Sequence, residues 1–134
     1  MDEGRPKSIA LIVEDDHDLQ QLTAMLLQES GFETVECESA EAALAVMLLG
    51  GQNDVTMVFA DIRLSGAMDG VDLAQELKMR WPRLMIILTS GNAGQRLAHL
   101  PFGVQYMAKP WRPLNLLMAA ERAIRDRSSD IALG

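Results

Sequence analysis

The stretch Ile9-Ala10-Leu11-Ile12-Val13-Glu14-Asp15-Asp16 places an unbroken apolar run directly before three acids. A short apolar run bounded by charge is typical of a strand buried on both faces, as in parallel sheets covered by helices. The acids fall where that strand would end. This stretch therefore predicts the first strand of a parallel α/β sheet, with a cluster of carboxylates at its carboxyl end.

Three later apolar runs end in polar residues in the same manner. They are followed by Asp61, by Thr89-Ser90 and by Lys109-Pro110. The carboxyl ends of the strands in an open parallel sheet form one rim, and ligands bind in the crevice along it. We therefore expect three acids, a hydroxyl and an amine to converge at this rim, although they are far apart in the sequence.

Strand and helix patterns alternate along the chain. The predicted strands are Ser8–Val13, Glu33–Cys37, Val55–Ala60, Leu84–Leu88 and Val104–Ala108. The predicted helices are Asp18–Glu29, a Ser39-capped helix to about Leu49, Val71–Trp81, a short or irregular helix within Gly91–Pro101, and Pro113 to about Arg127, before a frayed tail from Ser128. Five βα units with short connections predict a doubly wound parallel sheet with helices on both faces.

Spacing also assigns several side chains to the core. Cys37 is the single cysteine, which excludes an internal disulfide framework, and its place in a strand predicts a small buried hydrophobe rather than a reactive thiol. Helical spacing predicts core contacts for Leu19, Leu22, Met25 and Leu26, and core packing is enough to explain Met25, Met47 and Met85.

Composition excludes several classes of protein. A chain of 134 residues with 49% hydrophobic residues is long and apolar enough for one folded domain, which we expect to span residues 1–134 with a core of about 8–127. The net charge of −7 argues against a nucleic-acid or anionic-membrane surface. No stretch approaches the ~18 apolar residues of a membrane span, and no signal-peptide run is seen, so a cytoplasmic protein is expected.

The expected rim groups suit a divalent cation and a phosphoryl group. Mg²⁺ takes oxygen ligands, usually one or two carboxylates with waters and phosphate oxygens. Asp61 could also act as a covalent nucleophile, because carboxylates form aspartyl-phosphates. A Thr hydroxyl and a Lys ammonium opposite it would hold phosphate oxygens and neutralise developing charge.

Each group also has a simple structural explanation when it is taken alone. Asp16 is suited to capping a helix, Thr89-Ser90 to forming a turn, and Lys109 to lying on the surface. A Lys-Pro step at a strand end also suggests a rigid turn with a cis bond. The occurrence of four mutually compatible groups at four strand ends favours the functional interpretation.

At these residues the chain resembles the receiver domain of bacterial two-component response regulators, over roughly Ser8 to Arg127. The resemblance implies the flavodoxin-like strand order 2-1-3-4-5, flanked by five helices. It rests on Ile12-Val13-Glu14-Asp15, on Asp61 with Met68-Asp69-Gly70, on Leu88-Thr89-Ser90-Gly91, and on Tyr106-Met107-Ala108-Lys109-Pro110.

The resemblance also implies a role for each residue of a metal site. Asp61 would be the phosphoacceptor, and Asp15 and Asp61 would bind Mg²⁺ directly. Glu14 would bind the cation through water, and the backbone carbonyl of Arg63 would complete the protein ligands. The loop that follows Asp61 is one residue longer than is usual in the family and lacks the usual Pro, so we expect its shape to differ.

Phosphoryl binding and switching are implied for three further residues. Thr89 and Lys109 would contact the phosphoryl oxygens, and Thr89 with Tyr106 would form the switch that responds to them. For Tyr106 the simpler structural role is that of a half-buried strand aromatic. The weakly patterned segment 91–101 falls in a helix that most receivers use for output, so either it becomes ordered on phosphorylation or binding, or output depends on the last strand and helix.

The partners implied are a sensor histidine kinase or a histidine phosphotransfer protein, and a downstream protein. Neither nucleic acid nor membrane is expected to bind directly. The chain could form a homodimer through the face made by strand four, strand five and the last helix. The chain is expected not to be an enzyme beyond its own phosphorylation and dephosphorylation. It could be a stand-alone regulator, which we favour, a phosphate reservoir in a relay, or the receiver of a longer protein.

Two other functions remain open. The first is a degenerate receiver that acts as a binding or dimerisation module without phosphorylation, which the altered loop after Asp61 would permit. The second is a hydrolase that turns over an aspartyl-phosphate. The hydrolase fits less well, because such enzymes place the nucleophile after the first strand with a second acid two residues on, followed by Thr or Val. Here Asp16 is followed by His17 and Asp18.

Overall fold

The computed structural model describes the backbone of residues 8–51 and 54–133, and the side chains of 8–50 and 54–126. Strands and helices alternate as the sequence predicts. The strands are β1 Ile9–Val13, β2 Glu33–Cys37, β3 Val55–Asp61, β4 Met85–Ser90 and β5 Gln105–Ala108. The helices are α1 His17–Glu29, α2 Ala40–Val46, α3 Gly70–Arg80, a 3₁₀ helix Gly94–His99, and α4 Pro113–Leu133.

The five strands form one parallel sheet in the order β2-β1-β3-β4-β5. This is the doubly wound order implied by the resemblance, and five helices accompany it in the described part of the chain when the π-helical turn 47–51 is counted with α2. β1 and β3 lie next to each other at the centre, with Val13 beside Ala60. Asp61 lies beside Thr89 in the register of β3 and β4. The predicted polar residues of these strands are therefore brought to one rim.

The apolar strands are buried on both faces, as their unbroken hydrophobic sequences predict. In β1, Leu11 and Val13 join the core cluster on one face of the sheet, while Ala10 and Ile12 join the cluster on the other. Successive side chains of a strand point to opposite faces, so a strand that serves two cores needs an apolar residue at every position. β3 is built in the same way from Met57 to Ala60, before it reaches Asp61.

The prediction for the buried face of α1 was partly wrong. Leu22 and Met25 are 40% and 50% exposed, whereas Gln20 and Thr23 are buried. Both buried polar side chains have partners. Gln20 Nε2 donates to the carbonyl oxygens of Glu14 and Cys37, and Thr23 Oγ1 donates to the Leu19 carbonyl. Such hydrogen bonds offset the cost of burying a polar group, which hydrophobic spacing alone cannot reveal.

Three predicted helical segments can be compared with the structure. The segment within 91–101 is a short 3₁₀ helix, as expected from its weak pattern. α2 continues as a π-helical segment Met47–Gly51, in which Gly50 has a φ of 124°. The expected fraying from Ser128 is wrong, because α4 continues to Leu133. No Gly or Pro interrupts residues 114–133, so nothing in the local sequence ends that helix earlier.

Cys37 is buried in β2, as predicted, and should react slowly in the native protein. Burial raises the pKa of its thiol from 9.0 to about 11, with a smaller contribution from the charge of Glu36. At pH 8 this lowers the thiolate fraction on the order of a hundredfold. We expect alkylation by iodoacetamide at pH 8 to be at least that much slower in the native protein than in urea. Equal rates would contradict the buried position.

Candidate functional site

The rim of the sheet gathers three acids at the ends of β1 and β3. One carboxylate oxygen each from Glu14, Asp15 and Asp61 lies within 4.8 Å of the others. Glu14 and Asp61 are buried, and Asp15 is exposed. Three hard oxygen donors that converge at the mouth of a crevice fit a cation such as Mg²⁺, which also retains water ligands on the exposed side.

Lys109 brings a positive charge from the end of β5 into this cluster. Its Nζ donates to Asp61 Oδ2 at 2.7 Å and to Glu14 Oε1 at 3.2 Å. The Lys109-Pro110 peptide bond is cis, as the sequence suggested. The simple structural expectation that Lys109 lies on the surface is therefore wrong. Its side chain is only 24% exposed and pairs with both acids.

The charges at the rim alter one another's protonation. Burial raises the pKa of Glu14 above its usual value, although the backbone N–H of Asp16 and the charge of Lys109 act against this. Burial alone would lower the pKa of Lys109, but its hydrogen bonds and attraction to Asp61 and Glu14 outweigh burial and raise that pKa. The ammonium group thus stays charged and compensates two acids that would otherwise repel each other.

Thr89 presents an unpartnered hydroxyl beside Asp61. The residue is fully buried, and its Oγ1 has no hydrogen-bond partner among the residues that the structure describes. An unpaired buried hydroxyl costs free energy, on the order of 1–3 kcal/mol by mutational measurements. Tyr106, on β5, is half-buried, and its hydroxyl donates to the Ser90 carbonyl at 3.0 Å. A ligand oxygen near Asp61 would give the Thr89 hydroxyl a partner.

Two further predicted residues lie close to the cluster. Asp16 caps α1, because its side chain accepts from the backbone N–H groups of Asp18 and Leu19. The backbone N–H of Arg63 donates to Asp61 Oδ1 at 3.1 Å, which fixes the start of the loop relative to the carboxylate. The proposed role of the Arg63 carbonyl as a metal ligand remains a prediction.

The start of α3 is fixed by a network that the sequence reading missed. Asp69 and Asp72 form a capping box, and Arg96 of the 3₁₀ helix contacts both carboxylates at 2.9–3.0 Å. Burial opposes the charged form of Asp69, but the Arg96 hydrogen bond and the Asp72 backbone N–H outweigh it and lower its pKa. This stabilisation is present above pH 3.8 and is lost as the pH falls through the lower folded pKa.

Sequence signals for the missed residues were of unequal strength. The spacing Asp69-Gly70-Val71-Asp72 resembles a capping box and could have been recognised. Arg96 and Glu41 lie 27 and 26 residues from their partners, and nothing local marks them. Glu41, in the first turn of α2, accepts hydrogen bonds from the loop after Asp61.

Comparisons with known proteins agree with this geometry. A family model described as response regulator receiver domain matches residues 10–121. Nitrogen assimilation regulatory protein NtrX of Azorhizobium caulinodans is 30% identical over 118 residues, covering 85% of this chain and 25% of that protein. Sensory transduction protein RegX3 of Mycobacterium tuberculosis is 32% identical over 122 residues, covering 90% of this chain and 52% of that protein.

A solved structure shows the same architecture. The receiver domain of NtrX from Brucella abortus matches with a TM-score of 0.71 at 30% identity, covering 87% of this chain and 98% of that chain. The chain spans from about a quarter to about half of the two full-length relatives, so the likeness concerns their receiver portion. On the strength of the family match, this likeness and the shared fold, the chain belongs to the response regulator receiver domain family of two-component systems.

Proposed function

We propose that this chain is a phosphoacceptor receiver in which Asp61 accepts a phosphoryl group from a partner histidine. The observation that carries the proposal is the convergence of three acids with Lys109, whose Nζ lies 2.7 Å from Asp61 Oδ2. A carboxylate held beside a cation and next to the unpartnered Thr89 hydroxyl suits transfer of a group with three charged oxygens.

The proposed transfer is a displacement at phosphorus. A carboxylate oxygen of Asp61 forms the new P–O bond while the P–N bond to the donor imidazole breaks, and the imidazole leaves with the bonding electron pair. Lys109 and the Thr89 hydroxyl would then hold two phosphoryl oxygens. Moving the ammonium from the Asp61 carboxylate to the phosphoryl group keeps its charge paired throughout.

Glu14, Asp15 and Asp61, with the backbone carbonyl of Arg63, would hold Mg²⁺. Receiver domains bind this cation at an acidic pocket, and the donor set here fits it. When bound, the cation supplies charge neutralisation to the phosphoryl oxygens. The residues of the chain orient the acceptor carboxylate and compensate its charge.

Mg²⁺ should stabilise the protein, and Asp15→Asn should remove most of that effect. A ligand that binds only the folded state adds about 2.7 kcal/mol to the free energy of unfolding at one hundred times its Kd. Asp15 is exposed, so without the cation the substitution should not destabilise the protein, and it should relieve repulsion from Glu14 and Asp61. Urea denaturation with Mg²⁺ or EDTA measures the difference. Asp18→Asn, an exposed acid in α1 outside the cluster, is the control, and equal stabilisation of both variants would contradict the proposed site.

The proposed switch couples the site to a protein-binding surface. Thr89 would turn toward the phosphoryl group. Tyr106, whose hydroxyl now donates to the Ser90 carbonyl, would move into the space that Thr89 leaves. Residues on β4, β5 and α4 would change their exposed surface, which a downstream protein or a second copy of the chain could bind. A coupling free energy of about 1–3 kcal/mol is typical of such switches.

Family membership suggests which partners the chain has and where it works. Response regulators interact with histidine kinases and downstream effectors, and they generally work in the cytoplasm, which we propose as the location here. No helix in the described part of the chain is long and apolar enough to cross a bilayer. We propose a single receiver domain over residues 1–134, acting as a stand-alone regulator, a relay intermediate or part of a longer protein.

Intact-mass spectrometry after incubation with acetyl phosphate and Mg²⁺ tests the proposal. One added phosphoryl group supports a phosphoacceptor. A second outcome is that the protein binds Mg²⁺ and yet gains no mass, even when a histidine-phosphorylated donor is supplied. That result would favour the degenerate receiver, which the unusual loop 64–68 would permit. Receiver domains are signalling domains rather than classical enzymes, so turnover of small phosphate esters is not expected.

A further inference from the structure

The loop between Asp61 and α3 is fixed at its ends by the backbone. The N–H of Ile62 donates to the Thr89 carbonyl at 2.9 Å, and the N–H of Gly70 donates to the Ile62 carbonyl at 2.8 Å. Between these ends, residues 65–67 are exposed. Burial therefore does little to define the shape of the loop at its tip, and polar contacts must do so.

Glu41 of α2 reaches this tip from across the rim. Its Oε2 accepts hydrogen bonds from the backbone N–H groups of Ala67 at 2.9 Å and Met68 at 3.1 Å. A bridge between Ser39 and Ser65 joins the same two segments. A carboxylate that accepts from two consecutive N–H groups fixes the orientation of both peptide planes, and a charged acceptor makes these bonds stronger than neutral ones.

Gly66 makes this approach possible. Its φ is +104°, and a Cβ at this position would lie 2.8 Å and 3.0 Å from the two carboxylate oxygens of Glu41. A larger residue would therefore be strained in its backbone and would also push the carboxylate away. Glu41 and Gly66 are thus matched, in the very loop whose length and sequence depart from the usual receiver pattern.

We propose that Glu41 is a positioning residue that holds loop 64–68 in the shape that presents the Arg63 carbonyl to the metal site. This inference rests on the proposed function, because it assigns Glu41 a purpose in Mg²⁺ binding. Arg63 is already tied to Asp61 through its N–H, so the loop beyond it decides where its carbonyl points. The pKa of Glu41 is lowered by its own backbone N–H and by those of Met68 and Ala67, so the carboxylate is charged at neutral pH.

Two measurements on Glu41→Ala test the inference. The first is amide hydrogen exchange of Ala67 and Met68 in metal-free protein, which should become at least several-fold faster. The second is the Mg²⁺ affinity by calorimetry, which should fall about tenfold, as is typical when a residue that orients a metal ligand is removed. Glu41→Gln keeps an acceptor oxygen and should restore much of both properties. Glu76→Ala removes a half-buried acid of α3 whose partner is Arg80 rather than the loop, and it should alter neither.

Gly66→Ala gives an independent variant of the same contact. It should weaken Mg²⁺ binding at least as much as Glu41→Ala does, and the double variant should be no weaker than Gly66→Ala alone, because that substitution already displaces the Glu41 carboxylate. Full additivity would overturn the proposal. So would an unchanged Mg²⁺ affinity in Glu41→Ala, even with faster exchange, since the loop contact would then have no purpose at the site. If the unaltered protein bound no Mg²⁺, the proposed function itself would fail and this inference with it.

Discussion

Asp61→Asn should abolish phosphoryl incorporation from acetyl phosphate completely. The side chain keeps its size and its place beside Thr89, but an amide lacks the anionic oxygen that forms an acyl phosphate. Lys109 would retain Glu14 as a partner at 3.2 Å, so the rim should stay assembled. Intact-mass spectrometry should show one added phosphoryl group on the unaltered protein and none on the variant.

The control for this variant is Asp126→Asn. It removes an exposed acid of α4 that is not part of the rim cluster and should leave incorporation unchanged. Circular dichroism and urea denaturation should show that Asp61→Asn is folded. Undiminished incorporation by the folded variant would place the phosphoryl group on another residue. The assignment of Asp61 as the acceptor would then be wrong.

Gly70→Ala should destabilise the protein more than any other single methyl addition to a glycine whose surroundings the structure describes. A Cβ at residue 70 would overlap the Asp61 carbonyl oxygen and would lie 2.8 Å from the Ile62 Cα, both of them backbone atoms. Backbone cannot rotate away as a flexible side chain can. We expect a loss of about 3 kcal/mol in the free energy of unfolding, the upper end for overpacking.

A loss of this size should lower Tm by about 10 °C in a domain of this length. Gly91→Ala is the matched control, because a Cβ there meets nothing within 4 Å, and its effect should stay within about 0.5 kcal/mol. Differential scanning calorimetry of both variants measures the difference. Equal Tm values would mean that the loop yields easily and that residue 70 does not need to be glycine for packing.

The order of elements and the convergence at the rim could be predicted because they depend on local patterns. Unbroken apolar runs such as 9–13 indicate doubly buried strands, and a parallel sheet brings the carboxyl ends of its strands to one edge. Asp61 and Lys109 therefore meet although 48 residues separate them. The strand order itself depended on the family resemblance, since periodicity says nothing about which strands are neighbours.

The parts that could not be predicted depend on tertiary partners. The burial of Gln20 requires the carbonyl groups of Glu14 and Cys37, which come together only after β1 and β2 have paired. Arg96 and Glu41 look like ordinary surface charges in the sequence, and only the folded chain brings them to the loop and to the start of α3. Long polar side chains carry no periodicity that would mark such a contact in advance.

The edge-to-face pair of Phe59 and Trp111 gives this protein an optical reporter of its own. The rings are 5.5 Å apart at an angle of 83°, and Phe59 lies two residues before Asp61, so both project from the same face of β3. Trp111 also lines an apolar groove with Lys109 and Leu19, so we expect its indole emission to respond to movement of that lysine. Trp81, at the end of α3, belongs to the opposite core. A chain with Trp81→Phe would thus report events at the rim without an added dye.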